Sequence, residues 1–224
     1  MDSIEYYNKY AAKVYEDTVD ADMSEIMGEF LGLLEEGDTI LDLGCGSGRD
    51  SLTMYDMGFD VTPLDASEEM CKLAEIHTGL DVLLMAYEDM EFEDVFDGIW
   101  ACGALVHVPK NEMPEILGRI HDALCTRGVL YMSVKKGEFE GFRGERYFTD
   151  YTVDSLVSMM SRTGLFEILK TWETEDARSG HDAVWVNLYA GGTPDTEDLQ
   201  EQLEMTPDAN GTWIAEKEGD LNGV

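Results

Sequence analysis

Apolar positions in the first part of the chain recur at helical spacing. Met23, Ile26, Met27, Phe30, Leu31 and Leu34 fall three and four apart, so they share one helix face within a region, 1–37, that reads as helical throughout. Asp20 or Asp22 is placed to cap this helix, and Gly37 to stop it. A tyrosine-rich piece with Tyr6, Tyr7, Tyr10 and Tyr15 precedes it. From Thr39 the pattern changes to short apolar runs, and 39–43, 59–64, 81–85, 97–101 and 128–134 read as five strands. Helices are expected between them, for about ten residues through Tyr55, over 67–74 with Ser67 as cap, and over 110–124. Pro63 is awkward in a sheet, but it lies near a strand end, where its missing N–H is tolerable.

Short apolar strands alternating with helices predict βαβ units and a mostly parallel sheet. After a helix over 152–163 the rhythm breaks. Two strands, 166–172 and 183–189, follow one another with no helix between them, which predicts an antiparallel hairpin at the sheet edge. From Gly191 the chain turns acidic and poor in apolar residues. The expected organisation is one domain over 1–190, with its N-terminal helical part over 1–36, and a solvated acidic tail over 191–224.

Composition narrows the function. A chain of 224 residues, 44% hydrophobic, accommodates one α/β domain with a full core. The longest apolar runs, such as 98–105, are too short to cross a membrane. The first ten residues have neither the basic segment nor the apolar run of a signal peptide, so a cytoplasmic location is expected. Cys45, Cys71, Cys102 and Cys125 are widely spaced with no C-x-x-C pair, which argues against disulfides and against a metal site. The net charge of −33 repels phosphate backbones, so a small-molecule substrate is expected and a nucleic acid is not. A high-salt source would also account for such charge.

The strongest chemical signal is Asp42-Leu43-Gly44-Cys45-Gly46-Ser47-Gly48, a strand feeding a tight glycine loop that opens a helix. Glycines there permit unusual dihedrals and let a ligand approach the backbone. Asp65 ends the next strand, where a carboxylate can take both hydroxyls of a ribose. A dinucleotide loop wants G-x-G-x-x-G, but Arg49 stands at the last glycine position. Asp42 would also repel a pyrophosphate, whereas it suits the ammonium of an amino acid.

These residues resemble the cofactor signature of class I S-adenosylmethionine-dependent methyltransferases, and the likeness extends over about residues 36–190. Within that class the chain is similar to small bacterial type 11 and tellurite-resistance-like methyltransferases, through GIWACGALVHVP (98–109) and RYFTDY (146–151). The resemblance implies a Rossmann-like seven-stranded sheet with helices on both faces and its last strand antiparallel. It implies that Asp42 and the backbone of Gly44, Cys45 and Gly46 hold the methionine part of S-adenosylmethionine, that Asp65 takes the ribose and that Ala66 lines the adenine pocket. Ala86 stands where the family often has an aspartate, so Tyr87 and Glu88 are the expected adenine contacts. In this family an N-terminal segment can fold over the cofactor, which makes Tyr7 and Tyr15, two helical turns apart, candidate lid contacts.

The exit of the fourth strand faces the active site in such a sheet. Small residues there, Ala101 among them, let the donor methyl lie close to the backbone. His107 is the candidate acid–base group. Lys135, Lys136, Arg143 and Arg146 reverse the local sign of charge after the fifth strand, and Gly137, Gly141 and Gly144 suggest a loop able to close. Arg143, Arg146 and Tyr147 are therefore expected to recognise the acceptor, the arginines through an anionic group. Direct methyl displacement is the expected reaction, with S-adenosylhomocysteine as product. A non-catalytic S-adenosylmethionine-binding sensor and an NAD-dependent oxidoreductase remain as alternatives.

Overall fold

The computed structural model describes residues 3–191 and, beyond them, two short strands, Met205–Pro207 and Trp213–Ala215, that pair antiparallel. The rest of the expected acidic tail lies outside the described residues. In chain order the elements are α1 (Ser3–Thr18), α2 (Ser24–Leu31), β1 (Thr39–Leu43), α3 (Arg49–Asp56), β2 (Asp60–Asp65), α4 (Glu68–Thr78), β3 (Leu83–Leu84), β4 (Phe96–Cys102), α5 (Met113–Ala123), β5 (Leu124–Lys135), β6 (Glu140–Arg143), β7 (Arg146–Thr149), α6 (Val153–Thr163), β8 (Glu167–Glu175) and β9 (Val184–Gly191).

Seven strands form one sheet in the order β3-β2-β1-β4-β5-β9-β8. β3, β2, β1, β4 and β5 pair in parallel, while β9 runs antiparallel to both β5 and β8. This is the class I methyltransferase architecture. The chain winds outward from β1 to β3, then restarts at β4 on the other side of β1. That reversal leaves a crevice over the carboxyl ends of β1 and β4, where ligands bind in doubly wound sheets.

Alternation along the strands divides the core between the two faces. Leu41, Leu43, Ile99, Leu130 and Met132 pack with α5 and α6 through Ile116, Leu117, Met159 and Met160. Ile40, Trp100, Val129, Tyr131 and Tyr189 pack with Met27, Phe30, Leu31 and Met54 on the opposite face. Asp42 shares that second face, so β1 carries a buried carboxylate between apolar neighbours.

Several boundaries differ from the sequence reading. The amphipathic helix is shorter than expected: the Asp22 carboxylate accepts the Ser24 N–H and starts the chain turning there, and helix geometry ends by Gly32, although Leu33 stays buried. The tyrosine-rich piece is a separate helix, α1, with a kink at Tyr10. Pro63 lies within β2, opposite Asp42, but the two-residue β3 pairs only with Leu64 and Asp65, so the outer edge of β2 is free at the proline. The expected glycine-rich closing loop contains an ordered hairpin, β6–β7, whose turn holds Gly144 at φ 63°. Among the described residues no helix is long and apolar enough to cross a membrane.

Candidate active site

The loop after β1 turns through Gly44 (φ 70°), Gly46 (φ 56°) and Gly48 (φ 75°), a left-handed conformation that L side chains rarely adopt. Gly44 is doubly constrained, since a Cβ there would lie 2.7 Å from the Ala104 Cβ. The loop therefore packs directly on the exit of β4. Its N–H groups are held by β2: Gly44 and Cys45 donate to the Leu64 carbonyl at 2.8 and 2.9 Å, and Gly46 donates to Asp65 Oδ2 at 3.0 Å. Asp65 Oδ1 accepts the Ser67 N–H at 2.8 Å. Burial pushes the Asp65 carboxyl above its ordinary range, against the pull of these backbone donors.

Asp42 is buried at the end of β1 and accepts a 2.5 Å bond from Ser51 Oγ. Burial, with the Asp50 carboxylate nearby, pushes its pKa up to about 8, and the Ser51 bond opposes the rise. Asp50 is committed elsewhere, to Arg49 through Nε and Nη2 at 2.6 and 2.7 Å and to Trp100 Nε1 at 2.8 Å. Arg49 also donates from Nη1 to the Thr18 carbonyl at 3.2 Å, which ties the end of α1 to the glycine loop. Sequence reasoning used Arg49 only to exclude a dinucleotide; the Arg49-Asp50 neighbours after the last glycine were the available signal of this clamp.

A second constellation lies across the crevice. His107 closes a short 3-10 turn after β4, and its Nδ1 lies 2.5 Å from the Tyr147 carbonyl. A carbonyl only accepts, so Nδ1 carries the proton and Nε2 is the acceptor. Tyr7 Oη, 2.9 Å away, donates to Nε2, and Arg146 Nη1 donates to Tyr7 Oη at 3.3 Å. Burial, opposed by the Tyr147 bond and aided by the charges of Arg146 and Lys135, lowers the His107 pKa to about 4. The imidazole is thus neutral at pH 7, with its free lone pair turned to Tyr7. Burial raises the Tyr7 pKa, and Arg146 pulls it back.

Both constellations line one cavity of roughly 1060 Å³. Asp42, Gly44, Cys45, Gly46, Asp65, Ala66, Tyr87, Glu88, Tyr7, His107 and Arg146, all singled out from the sequence, line it. Four expected residues do not. Ala101 is fully buried in the sheet beneath, and Cys102, Gly103 and Ala104 line the cavity instead, because the strand alternation turns Ala101 toward α5. Tyr15 is bonded to His77 Nδ1 at 3.1 Å, since the kink at Tyr10 breaks the helical phase linking it to Tyr7. Arg143 is drawn away by the buried Asp150, to which both its Nη atoms donate. The Tyr147 hydroxyl bonds Glu140 at 3.1 Å, and this residue serves the site only through its carbonyl. Sequence reasoning counted Lys135 in the basic cluster without giving it a site role and missed Trp185; both line the cavity, from β5 and β9. Among the described residues no group of three or more His, Cys, Asp or Glu side chains could hold a metal ion.

α1 roofs both halves while burying only Ala11. Its attachments are mainly polar. Tyr7 bonds His107; Asn8 Oδ1 accepts from Ser67 Oγ at 2.8 Å and from the Glu69 N–H at 3.2 Å; Tyr10 donates to Glu145 at 3.1 Å in the β6–β7 turn.

The match to known proteins falls on this framework. Residues 40–128 match the family model described as a methyltransferase domain. An uncharacterized methyltransferase of Staphylococcus carnosus is 27% identical over 152 residues, 64% of this chain and 72% of that protein. A ubiquinone biosynthesis O-methyltransferase of Xanthomonas axonopodis is 34% identical over 104 residues, which span 43% of each. The 1,6-didemethyltoxoflavin-N1-methyltransferase of Burkholderia thailandensis, solved with bound 1,6-didemethyltoxoflavin and S-adenosylhomocysteine, superposes with a TM-score of 0.69 at 22% identity, covering 85% of both chains. The chain has the class I S-adenosylmethionine-dependent methyltransferase fold.

Proposed function

We propose that this protein is an S-adenosylmethionine-dependent methyltransferase acting on a small molecule by direct displacement. One observation carries the reading: the glycine loop, flanked by the buried carboxylates Asp42 and Asp65, opens into the same cavity as the neutral Tyr7–His107 pair. The residues fit the cofactor. Asp42 has no cation within ion-pair distance among the described residues and burial favours its neutral form, so an arriving ammonium would supply the partner that its carboxylate form needs. A Cβ placed on Gly46 meets nothing closer than 3.9 Å, which leaves open space above the loop. Asp65 retains lone pairs for ribose hydroxyls, and Ala66, Tyr87 and Glu88 border the adenine side. When bound, the cofactor supplies an electrophilic methyl on a sulfonium.

The chain's own residues align the acceptor and manage its proton. Tyr7 Oη takes the proton of an acceptor hydroxyl or N–H while its own proton passes to His107 Nε2. Burial favours the neutral Cys102 thiol, its pKa pushed up to about 12, which makes it a poor nucleophile and agrees with direct displacement. Oxygen and nitrogen acceptors agree with the O- and N1-methyltransferase names of the relatives. The small bacterial type 11 and tellurite-resistance-like subgroup remains the proposed home within the class, on the segments 98–109 and 146–151.

Titration calorimetry tests the reading. S-adenosylhomocysteine should bind at one site per chain and NAD should not. Asp65→Ala should weaken that binding by about 10- to 100-fold, the scale of charged hydrogen bonds. NAD binding in its place, or an Asp65→Ala variant with unchanged affinity, overturns the assignment.

A further inference from the structure

Five cationic side chains line the cavity, Arg49, Lys135, Arg146, Lys170 and Arg178. Three are held by carboxylates: Arg49 by Asp50, Lys170 by Glu29 and Arg178 by Asp176. Lys135 and Arg146 have no carboxylate partner among the described residues, in a chain where acids outnumber bases 48 to 15. They are also neighbours. Lys135 Nζ lies 4.8 Å from the centre of the Phe148 ring and the Arg146 guanidinium 4.9 Å from it, so two like charges share one aromatic ring. Lys135 is half-buried, and burial together with Arg178, Arg143 and Arg146 lowers its pKa. Two nearby acids are already committed: Asp176 to Arg178 and Trp185 Nε1, Asp150 to Arg143. Such an arrangement costs free energy until an anion enters.

A flat surface adjoins the pair. Trp185 lies 5.8 Å from Lys135 Nζ, and its ring is 3.3 Å from where a Gly103 Cβ would stand. Gly103, at the exit of β4, is thus roofed by an indole beside the ammonium. Tyr7, bonded to Arg146, brings the proton-accepting hydroxyl to the same space.

We propose that Lys135 and Arg146 form an anion-binding subsite for the carboxylate of an aromatic acceptor whose ring lies against Trp185. The inference rests on the methyltransferase reading and supplies its substrate class. Arg146 keeps the role expected from sequence, and Lys135 takes the place expected for Arg143. The guanidinium directs its N–H donors at a carboxylate, and the ammonium adds a point charge. The aromatic body gains stacking on the half-buried indole that lines the cavity.

The test uses protein saturated with S-adenosylhomocysteine, tryptophan fluorescence and calorimetry. Probes are aromatic acids of one and two rings, namely benzoate, 4-hydroxybenzoate, indole-3-carboxylate and 2-naphthoate, each paired with its uncharged amide. At least one acid should bind about tenfold tighter than its amide. Lys135→Gln and Arg146→Gln should each erase that preference while leaving affinity for S-adenosylhomocysteine unchanged. Lys135→Gln should also keep or raise the thermal stability of the ligand-free protein, because its burial near Arg178, Arg143 and Arg146 outweighs its contacts with the Phe148 and Trp185 rings. The subsite is overturned if no acid is preferred over its amide, if Lys135→Gln retains the preference, or if Lys135→Gln destabilises the ligand-free protein as loss of a structural contact would. Failure to bind S-adenosylhomocysteine at all would instead sink the methyltransferase reading.

Discussion

The two halves of the cavity are built differently. The half around β1 and β2 is made of backbone and short acids close together in the chain: a glycine loop, Asp42, and Asp65 bonded to Gly46 and Ser67. The half around His107 is made of long side chains brought from α1, the turn after β4, β5, β7 and β9. One half is fixed by chain geometry and offers buried acidic groups; the other is held by side-chain contacts and offers positive charge beside aromatic rings. A common cofactor needs the first kind of site. An acceptor that differs from enzyme to enzyme suits the second, because side chains can change without disturbing the sheet.

The contrast breaks most sharply at His107. His107→Gln and Tyr7→Phe should each lower kcat about 100-fold while S-adenosylhomocysteine binds normally, since both cut the same proton path. The double variant should be no slower than either single one. Full rates in both singles would make the pair a structural contact. His107 also sets a pH dependence. Its folded pKa of about 4 lies below the ordinary 6.5, so the unfolded chain binds more protons between those values. Stability is complete above pH 6.5 and falls as pH drops toward 4, by about 3 kcal/mol, a loss that His107→Gln should flatten in acid unfolding curves.

Asp42 sharpens the comparison from the other half. Its folded pKa of about 8 lies above the ordinary 3.8, so the folded chain holds the extra proton and stability is lost as pH rises toward 8. Asp42→Asn should therefore raise Tm at pH 8 in the ligand-free protein, yet weaken S-adenosylhomocysteine binding about tenfold. Lower Tm with unchanged binding would mean that the carboxylate serves the fold. The smallest effect belongs to Arg143. Arg143→Gln should leave kcat/KM unchanged and lower Tm by a few degrees, because the buried Asp150 carboxylate loses its partner. A specific rise in KM would return Arg143 to the acceptor site.

What was legible in the sequence follows the same division. The β1–loop–α3 unit and the acid ending β2 announce themselves because their function depends on neighbours in the chain: glycines where φ is positive, and a strand end where a ribose can sit. The parallel order and the edge hairpin were likewise carried by local periodicity. Lys135 was seen only as one of a basic cluster and Trp185 was missed, because their partnership exists only after β9 inserts beside β5. Arg143 and Arg146 stand opposite each other across the β6–β7 turn, and local pattern does not distinguish them. The packing of Asp150 does. Tyr15 was misplaced by assuming one continuous helical phase through the kink at Tyr10.

α1 binds the cofactor half through Asn8 and the Arg49–Thr18 contact, and the acceptor half through Tyr7 and Tyr10. With one buried residue, it is held mostly by bonds that water can replace. A displacement of this helix that admits or releases a ligand also parts Tyr7 from His107. Under the proposed function, exchange and proton transfer would then exclude each other, since an open roof would leave His107 without Tyr7 and a closed one would restore the pair.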